Sequence, residues 1–514
     1  MTDTAHALGT SRTLWELVDR RAALTPDHPV LLQGDRTLTF GELRDRAERC
    51  AAGLYGIGVR PGTVVAWQLP TRVETAVLSF ALARLGAVQT PLIPFHRDRE
   101  VGFALRASKA EYLVVPGVWR GFDHTAMARR LGAPHVLTAY DTLPDGDPAV
   151  LPPPPSPASG HDVRWIYWTS GTTSDPKGVL HTDRSLLAGG SCLAHALRPT
   201  SRDVGSMAFP YAHIAGPDYT VMLLLYGFPA VMFERFALPD ALAEYRRHRV
   251  TVAGGSTAFY AMFLAEQRRL PPGERLIPSL RLLAGGGAPK PPELHHAVVR
   301  EMGCLLTHGY GMTEVPMITM GSPDDTAENL ATTEGRPPEG MEIRVVPDAS
   351  GNGEIRLRGE AVCRGYLDPA QTAEAFDEDG FLLTGDVGHL TPSGHLVLTG
   401  RIKDIIIRKG ENISAKEIED LLHRHPAVGD AAVIGLPDPV SGERVCAVVE
   451  PAGRPPGAEP LTLESVTGFL RGEGLSVHKL PEQLEVVEEL PRNETLRKVL
   501  KYRLRERFAP AGPA

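Results

Sequence analysis

Four consecutive large apolar residues, Trp165-Ile166-Tyr167-Trp168, run directly into Thr169-Ser170-Gly171-Thr172-Thr173-Ser174-Asp175-Pro176-Lys177-Gly178, a hydroxyl- and glycine-rich stretch that closes on a lysine. The apolar run reads as a buried strand, and the small residues as a loop leaving a sheet edge, where α/β proteins place their ligands. Small residues let the backbone turn several N–H groups inward, the hydroxyls add donors, and Lys177 supplies a positive charge, so the loop is suited to phosphate. A plain surface turn rich in Gly, Ser and Thr would give the same residues. The spacing is not that of the Walker loop, which ends in Gly-Lys-Ser/Thr, because here the lysine precedes glycine and valine.

The surrounding chain alternates helical and strand periods. Leu14, Leu17 and Val18 form one helical face, Leu38-Thr39-Phe40-Gly41-Glu42-Leu43 reads as a strand entering a capped helix, and Val64-Val65-Ala66-Trp67 is followed by a helical run from Ala76 to Leu85. Strand and helix in turn predict a largely parallel, doubly wound sheet. With 514 residues the chain exceeds one compact core, so at least two domains are expected. Val221 to Phe233, the most apolar stretch, is interrupted by Gly227 and Pro229 and is too short to span a bilayer; it reads as core. After Gly400 the pattern changes to Arg401-Ile402-Lys403-Asp404, an apolar strand and a short α+β alternation, which predicts a second domain. Pro152 to Pro155 read as an external loop. Leu496, Val499, Leu500, Leu504 and Phe508 would share one face of a terminal helix, with Lys498, Lys501 and Arg505 on another.

A net charge of -8 without a long basic block gives no footprint for nucleic acid. Cys50, Cys192, Cys304, Cys363 and Cys446 are odd in number and widely spaced, unlike zinc or redox motifs, which predicts reduced thiols. The polar stretch from Met1 to Ser11 lacks the pattern of a secretory signal, so a cytoplasmic location is expected.

Further segments combine glycine with groups that bind nucleotides. They are His308-Gly309-Tyr310-Gly311-Met312-Thr313-Glu314, Gly285-Gly286-Gly287-Ala288-Pro289, Leu383-Thr384-Gly385-Asp386-Val387-Gly388 and Gly400-Arg401-Ile402-Lys403-Asp404. Two further stretches enter the resemblance drawn below: Arg408-Lys409-Gly410-Glu411-Asn412-Ile413 and the glycine-free Leu490-Pro491-Arg492-Asn493-Glu494-Thr495-Leu496-Arg497-Lys498. The glycines beside Ala288 and Pro289 would let a flat ring approach the backbone, or could serve packing alone. Asp386 and Arg401 offer a carboxylate and a guanidinium, and as an ordinary surface ion pair they would carry no function.

In this order the segments resemble those of the adenylate-forming superfamily, which includes acyl-CoA synthetases, aryl-CoA ligases, luciferases and peptide-synthetase adenylation domains. The resemblance implies an α/β fold. A large N-terminal domain of doubly wound sheets with a small barrel-like subdomain would cover 1–400, and a small mobile α+β C-terminal domain 401–514, hinged near Lys403. It also implies the site: Thr169, Ser170, Gly171, Thr172, Thr173 and Lys177 around the phosphates, and Gly286, Gly287, Ala288 and Pro289 as the adenine shelf. Tyr310 and Gly311 would close over the nucleotide, Thr313 would meet the α-phosphate, and Glu314 would help hold Mg2+. Asp386 would bind the ribose hydroxyls, Arg401 would bridge ribose and phosphate, and Gly410 would line the pantetheine tunnel. Lys498 would be the catalytic lysine, with Lys501 as the other candidate, because Leu496 and Arg497 stand where relatives have a single glycine. Ser174 is a second departure, at a position where glycine is usual.

The implied reaction uses ATP, Mg2+ and coenzyme A to convert a small-molecule carboxylic acid first to an acyl-adenylate and then to acyl-CoA. Within Phe209-Pro210-Tyr211-Ala212-His213-Ile214, His213 would sit at the substrate carboxylate; Ile214 stands where amino-acid-activating relatives carry an acidic residue, which favours a plain acid. Asp218 either faces the acyl group, where burying it unpaired would be costly, or points to solvent. Ser256, Thr257, Gly287 and Met317 would complete a modest pocket for a medium-chain, alicyclic or aryl acid. Two alternatives stand beside this reading: transfer of the acyl group to a carrier-protein arm, and an inactive nucleotide-binding relative. Oligomeric state is not written in the sequence, a homodimer being one option.

Overall fold

The computed structural model describes residues 3–140, 142–169, 176–287, 290–347, 351–408, 411–438, 441–453, 460–493 and 497–509. Thr39 and Glu42 cap each other: Thr39 Oγ1 accepts from the Glu42 N–H at 3.2 Å, and Glu42 Oε2 accepts from the Thr39 N–H at 2.9 Å. This reciprocal cap turns the strand Arg36–Thr39 into the helix Phe40–Gly56. The helix Val73–Leu85 carries apolar residues all round and is buried along its whole length, its Glu74 and Arg84 being paired with Arg36 and Glu48.

The strands assemble as the alternation predicts. One sheet has the spatial order Lys177–Thr182, Val163–Thr169, Val88–Pro91, Val64–Trp67, Tyr112–Val115, His135–Thr138. All neighbours in it run parallel except the edge strand Lys177–Thr182, which is antiparallel to Val163–Thr169. A second sheet orders Gly205–Met207, Ala230–Met232, Pro29–Gln33 and Arg36–Thr39, and a third orders Val252–Gly255, Leu282–Gly286, Leu305–Met312 and Val315–Met320. The Thr251 and Val252 N–H groups donate to the Val204 carbonyl at 2.8 and 3.1 Å, tying the last two edge to edge. Helices between the sheets supply the main core, with Trp67, Phe40, Phe228 and Leu17 fully buried. The apolar stretch from Val221 is core as expected: the helix Ala215–Tyr226 and the strand Ala230–Met232 are buried, and Gly227 closes the helix at φ 71°.

A four-stranded antiparallel sheet, Met341–Val345, Gly353–Gly359, Leu382–Leu390 and Leu396–Arg401, takes the place of the expected small subdomain. The last part of the chain builds a separate α+β unit. Its sheet orders Glu411–Ser414, Ile405–Arg408, Gly442–Pro451 and Val428–Asp438, with Gln483–Val486 parallel to Gly442–Pro451. Its own core gathers Ile406, Ile413, Ile418, Val433, Val445, Val466 and Leu470.

One expectation fails. The terminal helix begins only at Lys501 and runs to Phe508. Before it, Arg497 has φ 58°, Val499 bridges Arg492, and the Leu500 N–H donates to the Pro491 carbonyl at 2.7 Å. Asn493 explains the break, because its N–H donates to the Lys498 carbonyl at 2.9 Å and its Oδ1 accepts from the Lys498 N–H at 3.0 Å. Such local side-chain bonds outcompete a helix. Val499 and Leu504 still pack with Ile434, Leu436 and Leu490, so the apolar spacing reflects burial rather than helix; Leu496 lies outside the described residues. Among the described residues no helix is long and apolar enough to cross a membrane.

Candidate active site

Thr169 and Lys177 are register partners on adjacent antiparallel strands, Lys177 on the strand at the sheet edge. Ser170, Gly171, Thr172, Thr173 and Ser174 themselves lie outside the described residues. The Lys177 ammonium stands 5.0 Å from the centre of the Tyr366 ring. The Tyr366 hydroxyl in turn donates to Glu314 Oε1 at 2.8 Å. Tyr366 was not legible from sequence, since only folding brings it across the chain to Glu314.

Glu314 owes its position to a second hairpin. Met312 and Val315 are register partners of the strands Leu305–Met312 and Val315–Met320, which leaves Thr313 and Glu314 as its two-residue tip. The tip is fixed from below by His181, whose Nε2 lies 2.7 Å from the Thr313 carbonyl while Nδ1 lies 2.9 Å from Ser185 Oγ. A carbonyl can only accept, so Nε2 carries the proton, and burial keeps the ring neutral with its pKa pushed down to about 4. Glu314 is buried; that burial raises its carboxyl above the usual range, against the Tyr366 bond and the charge of Lys177.

Gly286 faces Gly309 in register, and a Cβ on it would meet the Gly309 carbonyl oxygen at 2.3 Å. Strand packing therefore accounts for Gly286 by itself. Gly287, exposed at the sheet end with φ 85°, leaves open backbone for a ring to approach. Ala288 and Pro289 lie outside the described residues. Gly311 ends the same strand, and Tyr310, buried next to it, donates its hydroxyl proton to Asp386 Oδ2. Arg401 Nε reaches Asp386 Oδ1 at 2.6 Å, the two residues being register partners across the strands Leu382–Leu390 and Leu396–Arg401. Asp386 is thus buried and fully engaged, which overturns the picture of a solvated surface ion pair.

The C-terminal unit brings Lys498 to this cluster. Its side chain is reached by solvent yet ringed by protein: burial pushes the ammonium down to about 8, Arg401 adds to the effect, and Asp386 and Asp404 oppose it. Lys501 is occupied elsewhere, 2.8 Å from Glu419 Oε1 and 3.8 Å from Asp404 Oδ2. Arg505 also holds Asp404, at 2.7 Å. Lys403 is exposed in the short turn Ile402–Asp404, and Gly410 lies outside the described residues.

On the acyl side, burial keeps His213 neutral with its pKa pushed down to about 4, and its Nδ1 accepts from the Ala215 N–H at 3.2 Å. Asp218 does not point to solvent. It has 1% of its surface exposed in the first turn of the helix Ala215–Tyr226, because that helix is covered by the helix Asp183–Leu197. Ser256 is fully buried with an unpartnered hydroxyl, whereas Thr257 and Met317 are half-buried.

Five stretches of the N-terminal part, at Lys177, Tyr310 with Glu314, Tyr366, Asp386 and Arg401, and one of the C-terminal unit therefore bring together two carboxylates, a guanidinium and two ammonium groups. A doubly wound α/β domain with such a cluster at its strand ends defines a nucleotide-using enzyme. Residues 18–367 match the family described as AMP-binding enzyme, and residues 417–497 match its C-terminal domain. The chain belongs to this family, the adenylate-forming superfamily. It is 34% identical over 510 residues to the salicyl-AMP ligase / salicyl-S-ArCP synthetase of Mycobacterium tuberculosis, covering 93% of this chain and 88% of that protein. The medium-chain fatty-acid–CoA ligase of Escherichia coli is 31% identical over 493 residues, covering 90% and 84%. Among solved structures, the o-succinylbenzoate CoA synthetase of Bacillus subtilis in complex with its acyl-adenylate intermediate superposes with a TM-score of 0.81 at 28% identity, covering 98% of this chain and all of that one.

Proposed function

We propose that this protein is an AMP-forming acid-thiol ligase that activates a carboxylic acid with ATP and passes the acyl group to coenzyme A. A carboxylate oxygen of the acid attacks the α-phosphorus, forming the acyl-phosphate bond and breaking the bond to the β-phosphate bridge, so pyrophosphate leaves. The thiol sulfur then attacks the acyl carbon, the thioester forms, AMP departs with the shared oxygen, and the thiol proton is lost. The observation that carries this reading is the convergence of Tyr310, Asp386 and Arg401 with Lys177, Tyr366 and Glu314 from separate stretches of the chain.

In this reading Asp386 and Arg401 hold the ribose, Thr169 and Lys177 with the adjoining loop hold the outer phosphates, and Thr313 meets the α-phosphate. His213 lies at the substrate carboxylate. Lys498 meets the negative charge that builds on the α-phosphoryl oxygens in the transition state. Mg2+ fits the donor set: one buried carboxylate, Glu314, whose Oε1 alone is taken by Tyr366, is the kind of single protein ligand this ion uses beside phosphates. Bound there, it would neutralise phosphate charge. The domain division at 400/401, a pivot at Lys403 and a pantetheine path past Gly410 belong to the same proposal, as does work in a reducing compartment, where all five cysteines are free.

A second reading, transfer to a carrier-protein arm, is favoured by the likeness to the salicyl-S-ArCP synthetase. Pyrophosphate release across a panel of acids tests activation, and comparing coenzyme A with a phosphopantetheinylated carrier protein as acceptor separates the two. ATP binding with no turnover on any acid would leave only an inactive relative.

A further inference from the structure

Asp218 is buried, and among the described residues neither of its carboxylate oxygens has a hydrogen-bond partner. The hydroxyl of Tyr167, on the strand Val163–Thr169, is also buried and unpartnered, and lies close enough to feel the charge of Asp218. Gly189 leaves room for the carboxylate: a Cβ there would stand 2.9 Å from Asp218 Oδ1 and 3.0 Å from the Cβ of Pro316. Pro316 lies two residues after Glu314, in the strand Val315–Met320 that leaves the Thr313–Glu314 hairpin tip, so this polar pair stands behind the reacting end of the site. Cys192, the other ionisable group near it, is neutral, its thiol pushed up to about 12 by burial and by Asp218.

A buried carboxylate without a cation is costly, and the fold could have avoided the cost with alanine or leucine at this position. An ammonium carries three donors and no acceptor, which matches two carboxylate oxygens and one phenol oxygen. Its separation from the substrate carboxylate follows from the helix. Asp218 stands in the first turn of the helix Ala215–Tyr226, four residues beyond Ile214, so a group bound to it lies farther from the substrate carboxylate than one held at position 214. Ile214, beside His213, offers no charge to an amine on the α carbon.

The geometry points to a specificity site in which Asp218, with Tyr167, receives the ammonium of an amino-substituted carboxylic acid whose amine lies beyond the α carbon. The assignment rests on the acid-activating reading above and on His213 marking the carboxylate end.

Pyrophosphate exchange with matched acids tests it: β-aminobutyrate against butyrate, γ-aminobutyrate against butyrate, and β-phenylalanine against hydrocinnamate. The wild type is expected to favour at least one amino member by about 100-fold or more in kcat/KM, and Asp218→Asn to bring that ratio within about tenfold. Tyr167→Phe, which removes one acceptor, is expected to lower it by about tenfold. The wild-type ratio and Tyr167→Phe carry the test whether or not D218N folds, which its melting temperature reports. Preference for every unsubstituted acid, or a ratio unmoved by both variants, overturns the assignment and leaves acid activation standing. No exchange with any acid, including aryl and medium-chain acids, overturns the activation reading and this assignment with it.

Discussion

Replacing Lys498 with alanine separates the two half-reactions. The lysine backbone is bracketed by Asn493 at 2.9 and 3.0 Å, which fixes the main chain from which its side chain starts. A unit charge about 4 Å from a developing negative charge is worth about 4 kcal/mol at an effective dielectric near 20. Because solvent reaches Lys498, the lower part of the range measured for a single transition-state donor, about 3 kcal/mol, is the better figure. At about 1.4 kcal/mol per decade this predicts a loss of about 100-fold to 1,000-fold in adenylate formation. Thioester formation from synthetic acyl-adenylate should change by less than about threefold, since phosphorus is not attacked in that step and the proposed pivot at Lys403 would carry Lys498 away from the departing AMP. Pyrophosphate exchange reads the first step and thiol consumption with added adenylate the second. A loss under tenfold in exchange, or equal losses in both steps, would refute the role of Lys498.

Three further outcomes follow from the same cluster. In the free enzyme the ammonium of Lys498 titrates near 8, and its protonated form is the active one, so kcat/KM for ATP should hold below that pH and fall about tenfold per unit above it; a flat profile between about pH 7 and 10 would contradict this. Asp386→Asn leaves one acceptor for Tyr310 and Arg401 and removes the charge that Arg401 pairs with, which should raise the KM for ATP by about 10-fold to 100-fold with little change in KM for the acid; the check is steady-state kinetics with each substrate varied. Tyr366→Phe strips Glu314 of its hydrogen bond and should raise the Mg2+ concentration for half-maximal rate by about tenfold, read by metal titration of the exchange reaction.

Much of the architecture was legible because local signals agree with it. The Thr39-Glu42 cap, the largely apolar Val73–Leu85 helix and the Val64–Trp67 strand each state their structure within a few residues. What escaped depended on contacts that no short window contains. Asp218 looks like an ordinary exposed aspartate until the neighbouring glycine-bearing helix covers it, and Tyr366 gains meaning only beside Glu314. The terminal helix was overextended because Val499 and Leu504 keep helical spacing while Asn493 bends the backbone out of it. Gly286 reads equally well as a ligand shelf or a packing position, and only the Gly309 carbonyl at 2.3 Å from its absent Cβ shows what strand packing demands.

Arg401 is fastened to Asp386 on one side of the junction, and Asp404 is fastened to Lys501 and Arg505 on the other. Between these two anchorages lie only Ile402 and Lys403, whose carbonyls accept from the Ile405 N–H and, at 3.5 Å, from Arg505. Any swivel of the terminal unit that spares both ion-pair clusters must therefore be taken up by a handful of backbone torsions, which makes this joint a knuckle rather than a flexible tether.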